Sequence, residues 1–597
     1  MTARTLNDIF IGARDRYAGR PAVMRVRDET RWHDIPFDAF FDRVRDTWAG
    51  LRQLSLAAGD RFAILSENRP EWAIADYACL AARVVNVPIY PTLTAHQMTY
   101  MLRDSGARGI FVSSARHLAR ILEIRGELPD LEQVVLFDGI SDAPGVMTMA
   151  ELEDSGRANA PGDGWLAEAA SVTPDDIATV IYTSGTTGEP KGVMLSHGNI
   201  ASNVAGALEI LKVDQHDSYL SFLPLCHIFE RMVGHYTMLQ AGATISYSRG
   251  FDRVAAELPE ARPTIVASVP RLYEKIHAAA VERAVKKGGL TRAIFEWACA
   301  TGDKRLDYVL DRHRVPAGLA VGERIADALV FRKLRARFGG RVRFMVSGGA
   351  PLSSSVCRFF TAAGLPILEG YGLTETSPVI AFNRIGSLKP GTVGQVLPGV
   401  EVRIADDGEI LTRGPHVMKG YFRKPEATAE AIDREGWFHT GDIGEFDSEG
   451  YLRITDRKKD LIKTSGGKYV APQPIETMMR LNKFFANAVL LGDKRQYPIM
   501  LLVPDFTALD AWLRANGQPA GTPEDVVTRP PVRDMLEREA RRSLRDLAHF
   551  EMPKKFLILP RDFSAEADEV TPTLKVKRRV VEAHYRNEID RLYGGPA

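Results

Sequence analysis

The chain runs to 597 residues, well beyond the roughly 100–200 of an ordinary domain, so two or more domains are expected. Its 77 basic side chains nearly cancel 76 acidic ones, leaving a net charge of +1, a balance that argues against nucleic acid as the principal partner. The four cysteines, Cys79, Cys226, Cys299 and Cys357, lie far apart with no CxxC pair, which fits a reducing compartment and no zinc site.

The first residues, Met1-Thr2-Ala3-Arg4-Thr5, lack the apolar stretch of a secretory leader. No apolar run approaches the ~20 residues that span a bilayer. The expectation is a soluble, cytoplasmic protein, with peripheral contact at the inner face of a membrane left open. Residues 60–140 alternate short apolar runs with helical patterns: strands at 61–65, 109–112 and 133–137, and a buried helix over 71–80. Such alternation predicts a doubly wound α/β layer. The pattern resumes with strands at 219–223, 243–247, 264–269 and 341–346, consistent with two related α/β lobes. Residues 275–340, rich in Ala, Arg, Lys and Leu, read as a helical insertion whose charges form either a solvated face or a membrane-touching one. Residues 390–455 read as a β-rich, barrel-like subdomain, with a hairpin about Asp407-Gly408. The predicted organisation is an N-terminal domain over 1–456, a charged hinge at 457–460, and a small, mobile α+β lid over 461–597.

Within this frame one loop concentrates chemistry. The run Tyr182-Thr183-Ser184-Gly185-Thr186-Thr187-Gly188-Glu189-Pro190-Lys191-Gly192 follows the apolar strand 177–181. It presents backbone N–H groups, hydroxyls and an ammonium, which is the equipment for holding phosphates. It is not a Walker P-loop, because Lys191 is followed by glycine and the glycine spacing differs. Three later stretches accompany it: Glu369-Gly370-Tyr371-Gly372-Leu373-Thr374-Glu375, Gly436-Trp437-Phe438-His439-Thr440-Gly441-Asp442, and Asp456-Arg457-Lys458-Lys459-Asp460 with Thr464-Ser465-Gly466-Gly467-Lys468.

Loop, acid, acid and basic hinge in this order resemble the adenylate-forming (AMP-binding) superfamily, over about residues 60–580. The resemblance implies that Thr183, Ser184, Gly185, Thr186, Thr187, Gly188 and Lys191 hold the phosphates of ATP, and that Thr183 and Glu375 hold Mg²⁺. It further implies nucleotide contacts from Gly348, Gly349, Ala350, Glu369, Gly370, Tyr371, Gly372 and Thr374, with Tyr371 flat on the adenine. Asp442 would accept the ribose hydroxyls and Arg457 would support the ribose or the α-phosphate. His227, in Pro224-Leu225-Cys226-His227-Ile228-Phe229, matches the family histidine near the reacting carboxylate; a structural histidine packed on Phe229 is the alternative. Lys575 matches the catalytic lysine of the C-terminal domain, although Leu574 replaces the usual preceding glycine and Lys577 competes for the role. Lys468 would serve the nucleotide, Gly466 the coenzyme A tunnel, and Lys459 the hinge between two half-reactions.

The stretches 223–231, 269–275 and 456–463 look like bacterial-type long-chain fatty acyl-CoA synthetases. The implied partners are ATP, a fatty acid and coenzyme A, with a homodimer left open. Met232, Val233, Met238 and Leu239 are candidates for lining an acyl tunnel, or plain core. Two rivals are a fatty acyl-AMP ligase serving a carrier protein and a CoA ligase for another carboxylic acid. A third, a non-catalytic relative, is opposed by the joint presence of Lys191, Glu375, Asp442, Arg457 and Lys575.

Overall fold

The computed structural model describes residues 3–159, 162, 164–183, 189–458, 460–465, 468–564, 566–571 and 576–594. Two large sheets carry the N-terminal portion. The eight-stranded sheet runs Gly420–Tyr421, Lys191–Ser196, Ile177–Thr183, Val85–Ile89, Arg61–Leu65, Gly109–Val112, Gln133–Leu136, Val146–Thr148. The nine-stranded sheet is centred on Ser218–Ser221, Ile265–Ser268, Phe344–Ser347 and Ile367–Gly372, which pair in parallel. Parallel strands connected by helices must be covered on both faces, which is why these strands are largely buried rather than alternating between core and solvent. The helix Pro70–Ala81 shows the same demand, with eleven of its twelve residues buried.

The expected strands are present, with ends shifted by tertiary contacts. The strand read at 341–346 begins only at Phe344, because Gly339 and Gly340 both take positive φ and turn the chain before it. The strand read at 219–223 stops at Ser221, where Leu223 and Leu225 are instead bound by Asn68: its amide donates to the Leu223 carbonyl (2.6 Å) and its carbonyl accepts from Leu225 N–H (3.0 Å). Residues 275–340 are helical, as read, in Pro270–Lys287, Gly289–Leu310, Ala317–Ala326 and Arg332–Ala336. The β-rich stretch is a four-stranded antiparallel sheet, Glu401–Ile404, Glu409–Arg413, Phe438–Phe446 and Leu452–Arg457, with the expected hairpin about Asp407-Gly408. A three-stranded sheet of Phe485–Leu491, Ile499–Pro504 and Lys555–Ile558 follows, with a separate apolar cluster on each face.

The two large sheets are joined by an ion pair with no exposure to solvent. Arg231 pairs with Asp76 of the helix Pro70–Ala81, and both side chains are 0% exposed. Neighbouring polar groups share the two charges. Tyr236 O–H donates to Asp76 Oδ2 (2.6 Å), Asn86 Nδ2 to Asp76 Oδ1 (2.9 Å), and Arg231 Nη1 to Thr179 Oγ1 (2.9 Å). Removing one partner leaves the other charge buried and uncompensated. Asp76→Ala is therefore expected to destabilise the protein by about 3–5 kcal/mol, read as a lower urea or thermal midpoint. A midpoint equal to that of the unaltered chain would show that the pair holds nothing together.

Candidate active site

The two strands that flank the phosphate loop pair with one another. Strands Ile177–Thr183 and Lys191–Ser196 are antiparallel and bring Thr183 opposite Lys191; Ser184, Gly185, Thr186, Thr187 and Gly188 lie outside the described residues. The second strand runs into a helix, His197–Leu211, whose start is fixed by a capping box between Ser196 and Asn199. Thr183 Oγ1 is 3.5 Å from the Lys191 carbonyl, a weak bond that leaves the hydroxyl able to turn to a ligand.

The next strand over, Gly420–Tyr421, supplies a residue that sequence reasoning missed. Tyr421 O–H donates to Glu375 Oε1 (3.0 Å), and the Lys191 ammonium sits 4.8 Å above the Tyr421 ring. One phenol thus touches both the lysine of the phosphate loop and the carboxylate expected to hold a metal. Burial raises the Glu375 carboxyl above its ordinary value. Tyr421 carries no local motif; only the pairing of Gly420–Tyr421 with Val193–Met194 reveals it.

A second cluster lies at the end of the four-stranded sheet. Asp442 and Arg457 are register partners on adjacent strands. Arg457 Nε donates to Asp442 Oδ1 (2.9 Å) and Tyr371 O–H to Asp442 Oδ2 (2.8 Å). Asp442 is buried, and its charge raises the Arg457 guanidinium further above the ordinary arginine range. Each carboxylate oxygen offers two lone pairs, so both can still accept a second donor such as a ribose hydroxyl.

The glycines of this wall are set by packing. A Cβ on Gly370 would lie 2.6 Å from the Phe382 ring, and one on Gly372 would lie 1.7 Å from the Pro378 carbonyl oxygen. The close approach at these positions is therefore made by the neighbouring strand Val379–Phe382 and by Pro378, which precedes it. A Cβ on Gly348 would lie 3.1 Å from the Phe229 ring, while Gly349 needs its positive φ of 80°. Ala350 is exposed in the same turn, and Thr374 is buried at the start of the short helical turn Thr374–Thr376. His227 Nδ1 accepts the Phe229 N–H (3.2 Å), which in the neutral ring puts the proton on Nε2. Phe229 thereby links the histidine turn to the Gly348 turn.

Other expected residues stand apart. The Glu369 carboxyl is buried beside Cys357 and the backbone of Leu352 and Gly391, a different set from the Tyr371–Asp442–Arg457 triplet, and burial pushes it up to about 8. Lys468 lies in the C-terminal part, its ammonium 5.8 Å above the Phe550 ring. Met232, Val233, Met238 and Leu239 are fully packed in the main apolar core beside Tyr219 and Tyr236, so in this conformation they face protein. Lys459, Gly466 and Lys575 lie outside the described residues. The competing Lys577 is engaged by Asp568 (2.5 Å). Around the hinge, Lys458 is held by Asp407 (2.6 Å) and Glu409 (2.9 Å). Burial pushes the Asp456 carboxyl up to about 7, with Asp460 and Arg578 near enough to act on its charge. Arg578, three residues beyond Lys575, donates to Glu476 Oε1 (2.6 Å).

Two family models cover most of the chain: AMP-binding enzyme over residues 12–422 and AMP-binding enzyme C-terminal domain over residues 459–596. The chain belongs to the AMP-binding enzyme family. Within that family it is 38% identical over 567 residues to the long-chain-fatty-acid–CoA ligase FadD15 of Mycobacterium bovis, an alignment covering 94% of this chain and 92% of that one. It is 34% identical to the peroxisomal long chain acyl-CoA synthetase 6 of Arabidopsis thaliana, over 91% of this chain and 79% of that one. The solved structure of the anthranilate CoA ligase AuaEII, in complex with anthranoyl-AMP, superposes with a TM-score of 0.74 at 20% identity. It covers 99% of this chain and 98% of that one, so the family fold is shared over its whole length.

The buried Glu369 gives a pH test. Its folded value is raised above the ordinary 4.5, so the stability it contributes is fully present below about 4.5 and is lost as pH rises towards about 8. Glu369→Gln is expected to flatten the fall in stability between those limits, by up to about 1.4 kcal/mol per pH unit, with an unchanged KM for ATP. An unaltered pH slope together with a raised KM for ATP would instead make Glu369 a nucleotide ligand.

Proposed function

We propose that this chain is an ATP-dependent long-chain fatty acid–CoA ligase. The observation that carries the reading is the pair of clusters, Thr183–Lys191–Tyr421–Glu375 and Tyr371–Asp442–Arg457, in a chain alignable almost end to end with long-chain-fatty-acid–CoA ligases. Joining a carboxylate to a thiol is uphill in water, so the carboxylate must first receive a good leaving group. In the first half-reaction a carboxylate oxygen attacks the α-phosphorus of ATP and pyrophosphate leaves, giving acyl-AMP. In the second, the thiolate sulfur of coenzyme A attacks the acyl carbon and AMP leaves.

Two anions meet in the first step, so positive charge and accurate placement supply most of the catalysis. Lys191, held over Tyr421 by attraction to the ring face, is available to the β- and γ-phosphates. Arg457 and Lys575 would bear on the α-phosphate and the incoming carboxylate, and His227 would orient that carboxylate. Asp442 would take the ribose, and Tyr371, tethered by its hydroxyl, would lie against the base.

The donor set fits Mg²⁺. Glu375 and Thr183 offer hard oxygen ligands, and among the described residues no cluster of three or more His, Cys, Asp or Glu could build a dedicated metal cage. Magnesium typically takes one or two protein oxygens and completes its shell with substrate phosphates and water. When bound it would offset phosphate charge. Tyr421 would orient Glu375 by holding one of its oxygens.

We further propose domains over 1–456 and 461–597 about a hinge at 457–460, with rotation withdrawing Lys575 before coenzyme A enters along Gly466. Among the described residues no helix is long and apolar enough to cross a membrane.

Purified protein with ATP, Mg²⁺, coenzyme A and saturated acids of increasing length is expected to form AMP and thioester chiefly with long chains. Adenylate without thioester would favour the acyl-AMP ligase, and silence across the series would mean another acid. Lys575→Ala is expected to slow adenylate formation by at least about 10²-fold while sparing thioester formation from supplied acyl-AMP; equal losses in both steps would refute its role. Tyr421→Phe, which deletes only the hydroxyl on Glu375, should raise the Mg²⁺ needed for half-maximal rate, and an unchanged Mg²⁺ dependence would dismiss it.

A further inference from the structure

The helix Pro270–Lys287 meets the C-terminal part of the chain at its very start. Arg271 Nη2 lies 3.8 Å from Asp562 Oδ2. The other oxygen of that carboxylate is already engaged: Asp562 Oδ1 accepts the Asn487 amide (3.1 Å) and the Phe563 N–H (2.8 Å). Asp562 is thus fixed within its own unit and presents its remaining oxygen to Arg271. The two side chains stand 41% and 42% exposed, so the pair guides position rather than supplying much stability.

A second contact of opposite sign lies one helical turn on. Glu274 shares a helix face with Arg271 and lies within reach of the charge of Arg480, the last residue of the helix Pro472–Arg480. Burial raises the Glu274 carboxyl above its ordinary value, and the positive charges of Arg480 and Arg271 oppose that rise. The helix therefore shows plus then minus, and the C-terminal part answers with minus and plus. Among the described residues no apolar cluster spans the two parts: those of the N-terminal part reach no further than Ile454, and those of the C-terminal part begin at Ile462. Crossed charges match in one orientation only, because turning either unit separates the pairs or sets like charges together. They fix orientation more than they add affinity.

We propose that Arg271 and Glu274 are positioning residues that dock the C-terminal part, through Asp562 and Arg480, in the orientation that forms the adenylate. The helix starts directly after Val269, which packs 3.8 Å from the Cβ position of Gly349 in the glycine turn of the candidate site. On the other side of the contact, the chain runs on from Asp562 to the antiparallel bridge between Val570 and Val576, and Lys575 directly precedes Val576. The Arg271–Asp562 contact thus ties the segment that carries Lys575 to the wall of the site. Coenzyme A would enter only after this contact is released. The assignment rests on the proposed ligase function and its domain rotation; the charge contacts themselves do not.

The test measures two half-reactions of the full chain separately: adenylate formation from hexadecanoic acid and ATP, and thioester formation from supplied hexadecanoyl-AMP and coenzyme A. Arg271→Glu, which sets two carboxylates face to face, is expected to slow the first about five-fold and leave the second within about two-fold of the parent. Adding Asp562→Lys should restore the first. Glu274→Lys and Arg480→Glu should each slow it alone and correct one another together. The single reversals should also speed tryptic cleavage at Lys458 or Lys459 by about five-fold, and the paired reversals should return it to the parent rate. Where a reversal fails to fold, Arg271→Gln carries the same test, with about two-fold slowing of adenylate formation alone. Unchanged adenylate formation in the single variants, equal slowing of both half-reactions, or paired reversals no better than single ones would overturn the proposal. Cleavage that follows the charges in a protein inactive on every acid would leave the charge contacts standing and remove the proposed function instead.

Discussion

One buried guanidinium ties together the two segments on which the proposed chemistry depends. Arg231 reaches Asp76 and Thr179 across the junction of the two large sheets. Four residues before it lies His227, whose carbonyl accepts the Arg231 N–H (3.1 Å). Four residues after Thr179 lies Thr183, at the mouth of the phosphate loop. The histidine turn and the phosphate strand therefore share a reference point that has no access to water. A fully buried ion pair is a poor source of net stability, because desolvation offsets most of its attraction. It is a strong source of registry, since any slip leaves a charge unpaired in a low-dielectric interior. The seven-residue π-helical segment Glu230–Tyr236, a form rare in proteins and frequent at functional sites, holds Arg231 and Tyr236 in this arrangement.

From that reference the site is assembled by strand pairing. Thr183 and Lys191 face one another because a hairpin requires it, and Tyr421 joins them because a two-residue strand pairs with the hairpin's outer edge. Asp442 and Arg457 meet for the same reason on another sheet. Hydrogen-bonded registers are discrete, so a side chain placed by a register cannot drift by a fraction of a residue. This is the kind of support that a phosphate-transfer site needs, since misplacement by about 1 Å can cost about 10²-fold in rate.

What is legible in the sequence follows from distance along the chain. The phosphate loop and the hairpin at Asp407-Gly408 are local patterns; the hairpin has the form read from it, and of the loop the structure describes the two paired strands that flank it. The alternation of strands and helices announces the two lobes for the same reason. Tyr421 escapes notice because its partners, Glu375 and Lys191, are 46 and 230 residues away, and nothing in Lys419-Gly420-Tyr421-Phe422 advertises them. Glu369 is drawn to the nucleotide by its neighbours Gly370 and Tyr371, yet its own carboxyl is buried among Cys357, Leu352 and Gly391. Met232 and Leu239 mark a further boundary of inference: an apolar side chain beside substrate and one beside protein have the same composition, and only packing separates them.

Arg457 is the last strand residue before the junction, and it is also bonded to Asp442. A single side chain thus belongs to the wall proposed to hold the nucleotide and to the start of the segment about which the small domain would turn. In thermodynamic terms the two are linked: whatever orientation of the small domain strengthens the Arg457–Asp442 contact is favoured by a nucleotide that needs the contact, and to the same factor. Exchange of ATP for AMP would then change the balance of domain orientations without any separate signalling element, and the direction of travel through the cycle would be written into the affinity of one carboxylate for one guanidinium.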